Sequence, residues 1–227
     1  MDETAPTRPT PAENSAILAE MWPRFVGWQR RWGGPTGRFL LETLSQHQAR
    51  RVFDTTLGDG CDSIHLLEHG FDVTSNEIDS EWKRAAESNA KRAGVVLSVR
   101  TSRWETDDFV SEAGRGFDAV LCLGNSLTYL KEDANRLAAL RHFRELLRPG
   151  GILILDERNY QYILDRRDDI NAQKMHADLT LTNPFPFRYS HEYVYCGTEV
   201  RAFPYRVRDN CVQFRYVDDA GRRISPT

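Results

Sequence analysis

Asp54, Gly58, Gly60 and Glu77 are the residues whose types and spacing could hold a ligand. In "VFDTTLGDGCDSIHLL" (52–67), two apolar residues and an aspartate lead into a turn with glycines two apart, and a helical pattern follows. Glycine lets the backbone approach a ligand with no Cβ in the way, and the following helix presents free N–H groups. A nicotinamide site wants G-x-G-x-x-G, but the third position here is Ser63, a poor fit. The next strand, "FDVTSNE", ends in Glu77, where a carboxylate accepts both ribose hydroxyls of a nucleoside. A third feature, "LLRPGGILIL" (146–155), is a helix stop running straight into a buried strand. Together they point to a nucleoside ligand whose other end is not a pyrophosphate.

The elements that must position these residues alternate from 36 to 160. A helix (37–47) precedes strand "RRVFDTT" and helix "SIHLLEHG"; strand "FDVTSNE" leads to helix "SEWKRAAESNAKRAG", and strand "VLSVRTS" to a short helix. Strand "FDAVLCLG" leads to helix "DANRLAALRHFRELL", and "GGILILDER" is a fifth strand. Apolar runs without polar alternation suit strands covered on both faces, and intervening helices imply βαβ crossovers. The expected fold is therefore α/β, a Rossmann-like parallel sheet with helices on both faces.

Three segments are expected. Residues 1–35 form an arm and an aromatic helix. Trp22, Phe25, Trp28 and Trp32 recur at three- and four-residue spacing, which places them on one helical face, and the first dozen residues, with three prolines, read as disordered or extended. The aromatic face either packs on the domain or serves as a lid walling a pocket. Residues 36–160 form the ligand-binding core. Residues 161–227 supply a helix and an antiparallel β extension, in which Tyr, Val and Phe alternate with charged residues.

Composition narrows the partner. The 30 basic and 33 acidic residues are evenly spread, for a formal charge of −3, with no basic stripe for nucleic acid. No membrane span stands out, and the dispersed Cys61, Cys122, Cys196 and Cys211 show no metal spacing. They read as reduced thiols of a cytoplasmic protein, Cys122 as core. The six histidines show no metal pairing, and His47, His69 and His142 read as surface helix residues. The expected partner is a small molecule; a homo-oligomer is left open.

The chain resembles class I S-adenosylmethionine-dependent methyltransferases, and more closely the glycine N-methyltransferase-like group of small-molecule N-methyltransferases. "VFDTTLGDG", "FDVTSNEID" and "LRPGGILIL" match the general motifs; "FDAVLCLGNSLTYL", "ILDERNYQYIL" and "EYVYCGTEV" carry the closer match. The resemblance implies S-adenosylmethionine as cofactor, S-adenosylhomocysteine as product, and a small amine as acceptor, either an amino acid or an antibiotic-type precursor. By motif position, Asp54, Thr56, Gly58 and Gly60 would surround the methionine part. Glu77 would bind the ribose, Ile78 would pack on the adenine, and Arg103 with Trp104 would sit at the adenine edge. Leu123 would contact the cofactor through its backbone, and Arg30 or Arg31 (Arg31 preferred) would pair with its carboxylate. Asn125 and Arg158 match substrate positions and, with Tyr160, are the catalytic candidates; Phe25, Trp28 and Tyr129 are candidates for the substrate pocket.

Departures from the group are Thr56 for a small residue, Asp59 for a small or hydroxyl residue, Arg103 for Asn, and Phe25 where a Tyr would stand. They favour an acceptor bulkier than glycine. Methyl transfer from a sulfonium needs no metal, and positioning with exclusion of water does most of the work. Glu157, Tyr160, His191 or water could take the amine's proton. An O-methyltransferase, a dinucleotide oxidoreductase and a non-catalytic cofactor-binding or assembly subunit are the alternatives. The group ends its sheet with an antiparallel hairpin, and "DDAGRRISPT" does not supply one. The fifth or fourth strand is therefore expected to form a parallel edge, left exposed by truncation of the chain (the preferred reading), covered by a partner chain, or covered by the meander in place of the hairpin.

Overall fold

The computed structural model describes residues 10–172, 200–209 and 211–218. These divide into two compact units: Trp28–Glu157 in one, and the described residues before 28 and after 157 in the other.

The larger unit opens with α2 (Trp28–Gly33) and α3 (Pro35–Gln46), α1 (Pro11–Val26) belonging to the other. The two meet closely, since a Cβ on Gly37 would fall 2.5 Å from the Trp32 carbonyl. Then β1 (Arg51–Asp54), α4 (Cys61–Glu68), β2 (Asp72–Asn76), α5 (Ser80–Ala93), β3 (Ser98–Arg100) and α6 (Phe109–Ala113) alternate. The pattern ends with β4 (Phe117–Cys122), α7 (Asp133–Leu146) and β5 (Leu147–Leu155). The sheet order is β3-β2-β1-β4-β5, with every pair parallel, as the alternation implied.

Side chains along a strand point alternately to opposite faces, so the strands feed two cores. Val52, Ala119 and Leu121 pack with Leu40 and Leu44 of α3 and Leu66 of α4. Phe53, Val120 and Cys122 pack with Phe109 of α6 and Phe143 and Leu146 of α7. Phe53 is fully buried edge-on to Phe109 and Phe117, a burial worth roughly 1.5–3 kcal/mol. β5 takes the open edge expected of the fourth or fifth strand, not the buried position that "GGILIL" suggested. It is an edge strand among the described residues, with Leu155 40% exposed and only Ile154 buried.

At the N-terminal ends of the strands, the Asp118 carboxylate accepts from the amides of Arg50 (2.7 Å) and Arg51 (2.8 Å) and from the Arg148 guanidinium. These donors, Arg148 first, hold it down at about 2. Beside it the β4–β5 register shifts between Phe117 and Ala119. A Cβ on Gly151 would press within 3.0 Å of the Phe117 and Asp118 carbonyls, so "PGG" serves this close approach within the strand.

The second unit contains α1 (Pro11–Val26), α8 (Tyr160–Leu164), α9 (Arg167–Asn171) and the antiparallel pair β6 (Val200–Arg208) and β7 (Cys211–Asp218). α1 starts at a capping box in which Glu13 accepts from the Thr10 amide at 2.8 Å and Thr10 accepts from the Glu13 amide, so residues 11 and 12 are helical rather than extended. It ends at Gly27, whose left-handed conformation (φ 63°) closes the helix with a bond to the Pro23 carbonyl. The expected single aromatic helix is therefore two: Trp22 and Phe25 lie on α1, Trp28 and Trp32 on α2. Met21, Phe25 and Val26 pack on Val200 and Ala202 of the hairpin. Asn171 pins α9 to it by bonding both the Val207 amide (2.9 Å) and carbonyl (3.0 Å). The alternating Tyr/Val/Phe segment forms this hairpin from 200 to 218; its expected earlier part, with His191 and Cys196, lies outside the described residues.

Candidate functional site

β1 delivers Asp54 to the C-terminal edge of the sheet, between β2 and β4. The strand order reverses direction at this point, where open α/β sheets bind ligands. Asp54 is 1% exposed, yet its carboxylate is well served. Oδ1 accepts from the Thr56 amide (2.9 Å) and hydroxyl (3.1 Å), and Oδ2 accepts from the Ser63 hydroxyl (2.6 Å). Ser63 in turn shares a 2.7 Å hydrogen bond with Ser75 of β2. Thr56 Oγ accepts from the Leu123 amide at 3.1 Å, tying the loop after β1 to the end of β4. Burial pushes the Asp54 carboxyl up to about 6, and its hydrogen bonds to Ser63 and Thr56 pull it back.

The turn itself runs through Gly58 (φ 55°) and Gly60 (φ 87°), both left-handed. At Gly60 a side chain would also fall 2.9 Å from Ile64 Cδ1 and 3.2 Å from Ala86 Cβ, so the turn lies flat against α4 and α5. Glu77, just past β2, reaches across to it. Oε2 accepts from the Gly58 amide (3.0 Å) and Oε1 from the Asp79 amide (2.9 Å). Burial raises its carboxyl, and these two amides oppose the shift. Each oxygen is fixed by one donor and keeps a second lone pair, which suits a diol. The adjacent Ile78 is 53% exposed, a bare apolar surface beside that carboxylate.

Helix α2 docks along the turn and the start of α4. The Trp28 indole donates to Asp59 Oδ2 at 2.8 Å, Arg31 forks onto both oxygens of Asp62 at 2.6 Å, and Trp32 stacks on His65 at 3.9 Å. Asp59 is buried, its other oxygen accepting from the Cys61 amide (3.2 Å). Burial drives it up to about 6, with the Trp28 hydrogen bond pulling the other way. Trp28 and Arg31 thus serve this docking, a role the sequence did not suggest; both carboxylates also lie at the positive end of α4.

The other expected residues fall as follows. Trp104 turns its indole N–H to the Thr55 carbonyl (3.1 Å) and packs on Phe143, while the exposed Arg103 pairs with Glu105. Leu123 has its amide on Thr56 and its carbonyl on the Ser126 hydroxyl (2.8 Å). Asn125 is buried and left-handed (φ 63°), its side chain donating to Thr128 at 3.1 Å. Tyr129 ends the short 3₁₀ turn 126–129 and is 78% exposed. Arg158, Tyr160 and Phe25 belong to the other unit. There the Arg158 guanidinium lies over the Phe214 ring at 4.4 Å, and Tyr160 packs on the cluster of Ile163, Ile170 and Val207. Phe25, expected at a pocket wall, is fully buried beneath Trp22 and Tyr216. Of the expected set, Asp54, Thr56, Gly58, Gly60, Glu77 and Leu123 are joined by one hydrogen-bonded or chain-continuous turn. Ser63, Ser75 and Asp62 were missed; a hydroxyl in the third-glycine slot was the available signal for Ser63.

Among the described residues, no cluster of His, Cys, Asp and Glu could hold a metal, and no helix is long and apolar enough to cross a membrane. His142 bonds the Trp104 carbonyl and His69 the His65 carbonyl.

A family described as a methyltransferase domain matches residues 52–151. The chain is 37% identical over 199 residues to a glycine/sarcosine N-methyltransferase of Aphanothece halophytica, covering 88% of this chain and 67% of that one. It is 36% identical over 159 residues to the glycine N-methyltransferase of Rattus norvegicus, covering 64% and 53%. The chain thus spans from about half to two thirds of the length of the curated relatives it matches. In fold it is similar to an S-adenosylmethionine-dependent methyltransferase from Clostridium acetobutylicum, with a TM-score of 0.53 at 15% identity over 79% of this chain and 64% of that one.

The burial of Asp59 has a consequence for pH. Its carboxyl keeps a proton up to about pH 6 when folded, against the ordinary 3.8. Between these values the folded state binds more protons than the unfolded, so stability falls as pH rises and levels off above about 6. Asp59→Asn keeps an oxygen for the Trp28 indole and removes the titration. Relative to wild type it is expected to gain roughly 2–3 kcal/mol between pH 4 and pH 7, read by chemical denaturation at both values. A difference independent of pH would contradict the burial assigned to Asp59.

Proposed function

Because this chain belongs to the S-adenosylmethionine-dependent methyltransferases, in the glycine N-methyltransferase-like group, we propose that it methylates the nitrogen of a small amine of the glycine or sarcosine type. The observation that carries this reading is the likeness to glycine/sarcosine N-methyltransferases across 88% of the chain.

The residues at the turn fit the cofactor. A Cβ at Gly60 would disturb the turn, Glu77 offers two oriented oxygens, and Ile78 offers a bare apolar face. Bound there, S-adenosylmethionine supplies a methyl group activated by its sulfonium. Glu77 would take the ribose hydroxyls, and Ile78 would lie against the adenine. Asp54, through Thr56 and Ser63, would hold the turn in the shape that receives the methionine part. Arg31 is assigned to the cofactor carboxylate, with Asp62 fixing its guanidinium. Arg103 and Trp104 are assigned to the adenine edge, Trp104 being oriented by its bond to Thr55.

The acceptor must arrive as a neutral amine, because a protonated one has no lone pair. Asn125 would orient it. Arg158 would hold an anionic group on the acceptor and Tyr160 would line its path; both assignments rest on the Arg-Asn-Tyr segment's resemblance. Displacement in line at the methyl carbon then needs little beyond alignment and a dry site. Trp28 and Tyr129 are proposed as pocket residues on the same basis; Phe25, also a pocket candidate, is fully buried in the core of its own unit.

Methyl transfer is to be read by mass across glycine, sarcosine, other amino acids and bulkier alkylamines of the secondary-metabolite kind. Gain of methyl mass on glycine or sarcosine is expected; transfer only to hydroxyl compounds would overturn the reading. Glu77→Ala is expected to weaken S-adenosylhomocysteine about 10- to 100-fold by calorimetry, the cost of a lost charge-assisted pair. Unchanged affinity would remove Glu77 from the ribose.

A further inference from the structure

Asp156 immediately follows β5, at the same C-terminal edge of the sheet as Asp54 and Asn125. Its amide donates to the Cys122 carbonyl at 3.2 Å, so it continues the β4–β5 ladder by one step. Its Oδ1 accepts from the Asn125 amide at 2.7 Å. That bond anchors the left-handed Asn125 at the head of the 126–129 turn. The other oxygen, Oδ2, is buried and has no hydrogen-bond partner among the described residues.

Half of this carboxylate is thus committed to fixing the loop, while half is withdrawn from solvent with no donor bonded to it among the described residues. A buried acceptor left unpaired is costly, and a charged one more so, unless a donor arrives with something that binds. An anionic group could not fill this role, since it would meet a carboxylate oxygen. A group carrying N–H can.

We propose that Asp156 Oδ2 accepts the N–H of the methyl acceptor, making Asp156 a specificity-determining residue for amines. The assignment rests on the N-methyltransfer reading above. The amine's N–H bond points to Asp156, which leaves its lone pair to be aligned with the methyl carbon. The new N–C bond forms as the C–S bond breaks, with its electron pair passing to sulfur to leave a thioether. The positive charge so gained by nitrogen is next to a carboxylate, and the proton is lost to water. A hydroxyl can donate to Oδ2 too, but it becomes a comparable nucleophile only on losing that proton, and a carboxylate is too weak a base to take it, whereas a neutral amine already holds its lone pair.

The full chain is compared with Asp156→Asn, which keeps an oxygen for the Asn125 amide and turns Oδ2 into an N–H donor. With glycine or sarcosine as probe, the variant is expected to raise the acceptor KM about 10- to 100-fold while S-adenosylhomocysteine affinity and melting temperature stay near wild type. A folded variant with unchanged acceptor KM overturns the assignment and leaves N-methylation standing. A wild type that binds S-adenosylhomocysteine but methylates no amine overturns the earlier reading and this one with it. Asp156→Ser serves as a second variant with the same expectation. Should neither fold, wild type loaded with S-adenosylhomocysteine decides the matter. Glycine is then expected to bind at least about 10-fold tighter than acetate, which lacks the N–H; equal affinities overturn the assignment.

Discussion

The Asp54 carboxylate is the point on which the site depends. A charge taken out of water is expensive unless its lone pairs are met, and here they are met by donors from the elements that must converge. Thr56 brings the loop, Ser63 brings α4, and Ser63 through Ser75 brings β2. Thr56 then passes the constraint to β4 through the Leu123 amide. One buried acid thus sets the relative positions of three strands and a helix at the edge where the ligand is proposed to bind. Its raised pKa, about 6, records what that burial costs.

The same fold carries a second carboxylate at its opposite edge, with the opposite balance. Asp118 is met by two backbone amides and a guanidinium while burial costs it little, so it is held acidic at about 2. It stitches the start of β1 to β4 and β5, whereas Asp54 shapes the ligand edge. Further along that edge, Asp59 fastens α2 to the turn, and Asp156 fastens the loop of Asn125. Helix α2, the Gly58 turn and the Asn125 loop are each held at this edge by a carboxylate accepting an N–H.

The parallel sheet was legible because unalternating apolar strands and intervening helices admit few other arrangements. The turn and Glu77 were legible because glycine spacing and the distance to the next strand end are chain properties. The polar support was not. Ser63 and Ser75 are ordinary residues in the sequence, and only the packing of α4 on β2 brings their hydroxyls to 2.7 Å. Asp59 read as a departure beside the ligand, but its burial depends on Trp28, which lies thirty-one positions earlier. The aromatic helix failed because three- and four-residue spacing continues across Gly27, while a left-handed glycine ends the helix there. β5 read as buried because "ILIL" is apolar, although burial depends on which strand stands at the edge.

Asp54 is thus the residue that shapes the turn for the cofactor. Asp54→Asn places an N–H₂ against donors that Asp54 accepts from, with almost no change in volume. Calorimetric binding of S-adenosylhomocysteine to this variant, with its unfolding followed in parallel, is the most direct test. Affinity at least about 10-fold weaker is expected, in a chain that still unfolds cooperatively. Affinity equal to wild type in a folded Asp54→Asn chain would contradict it.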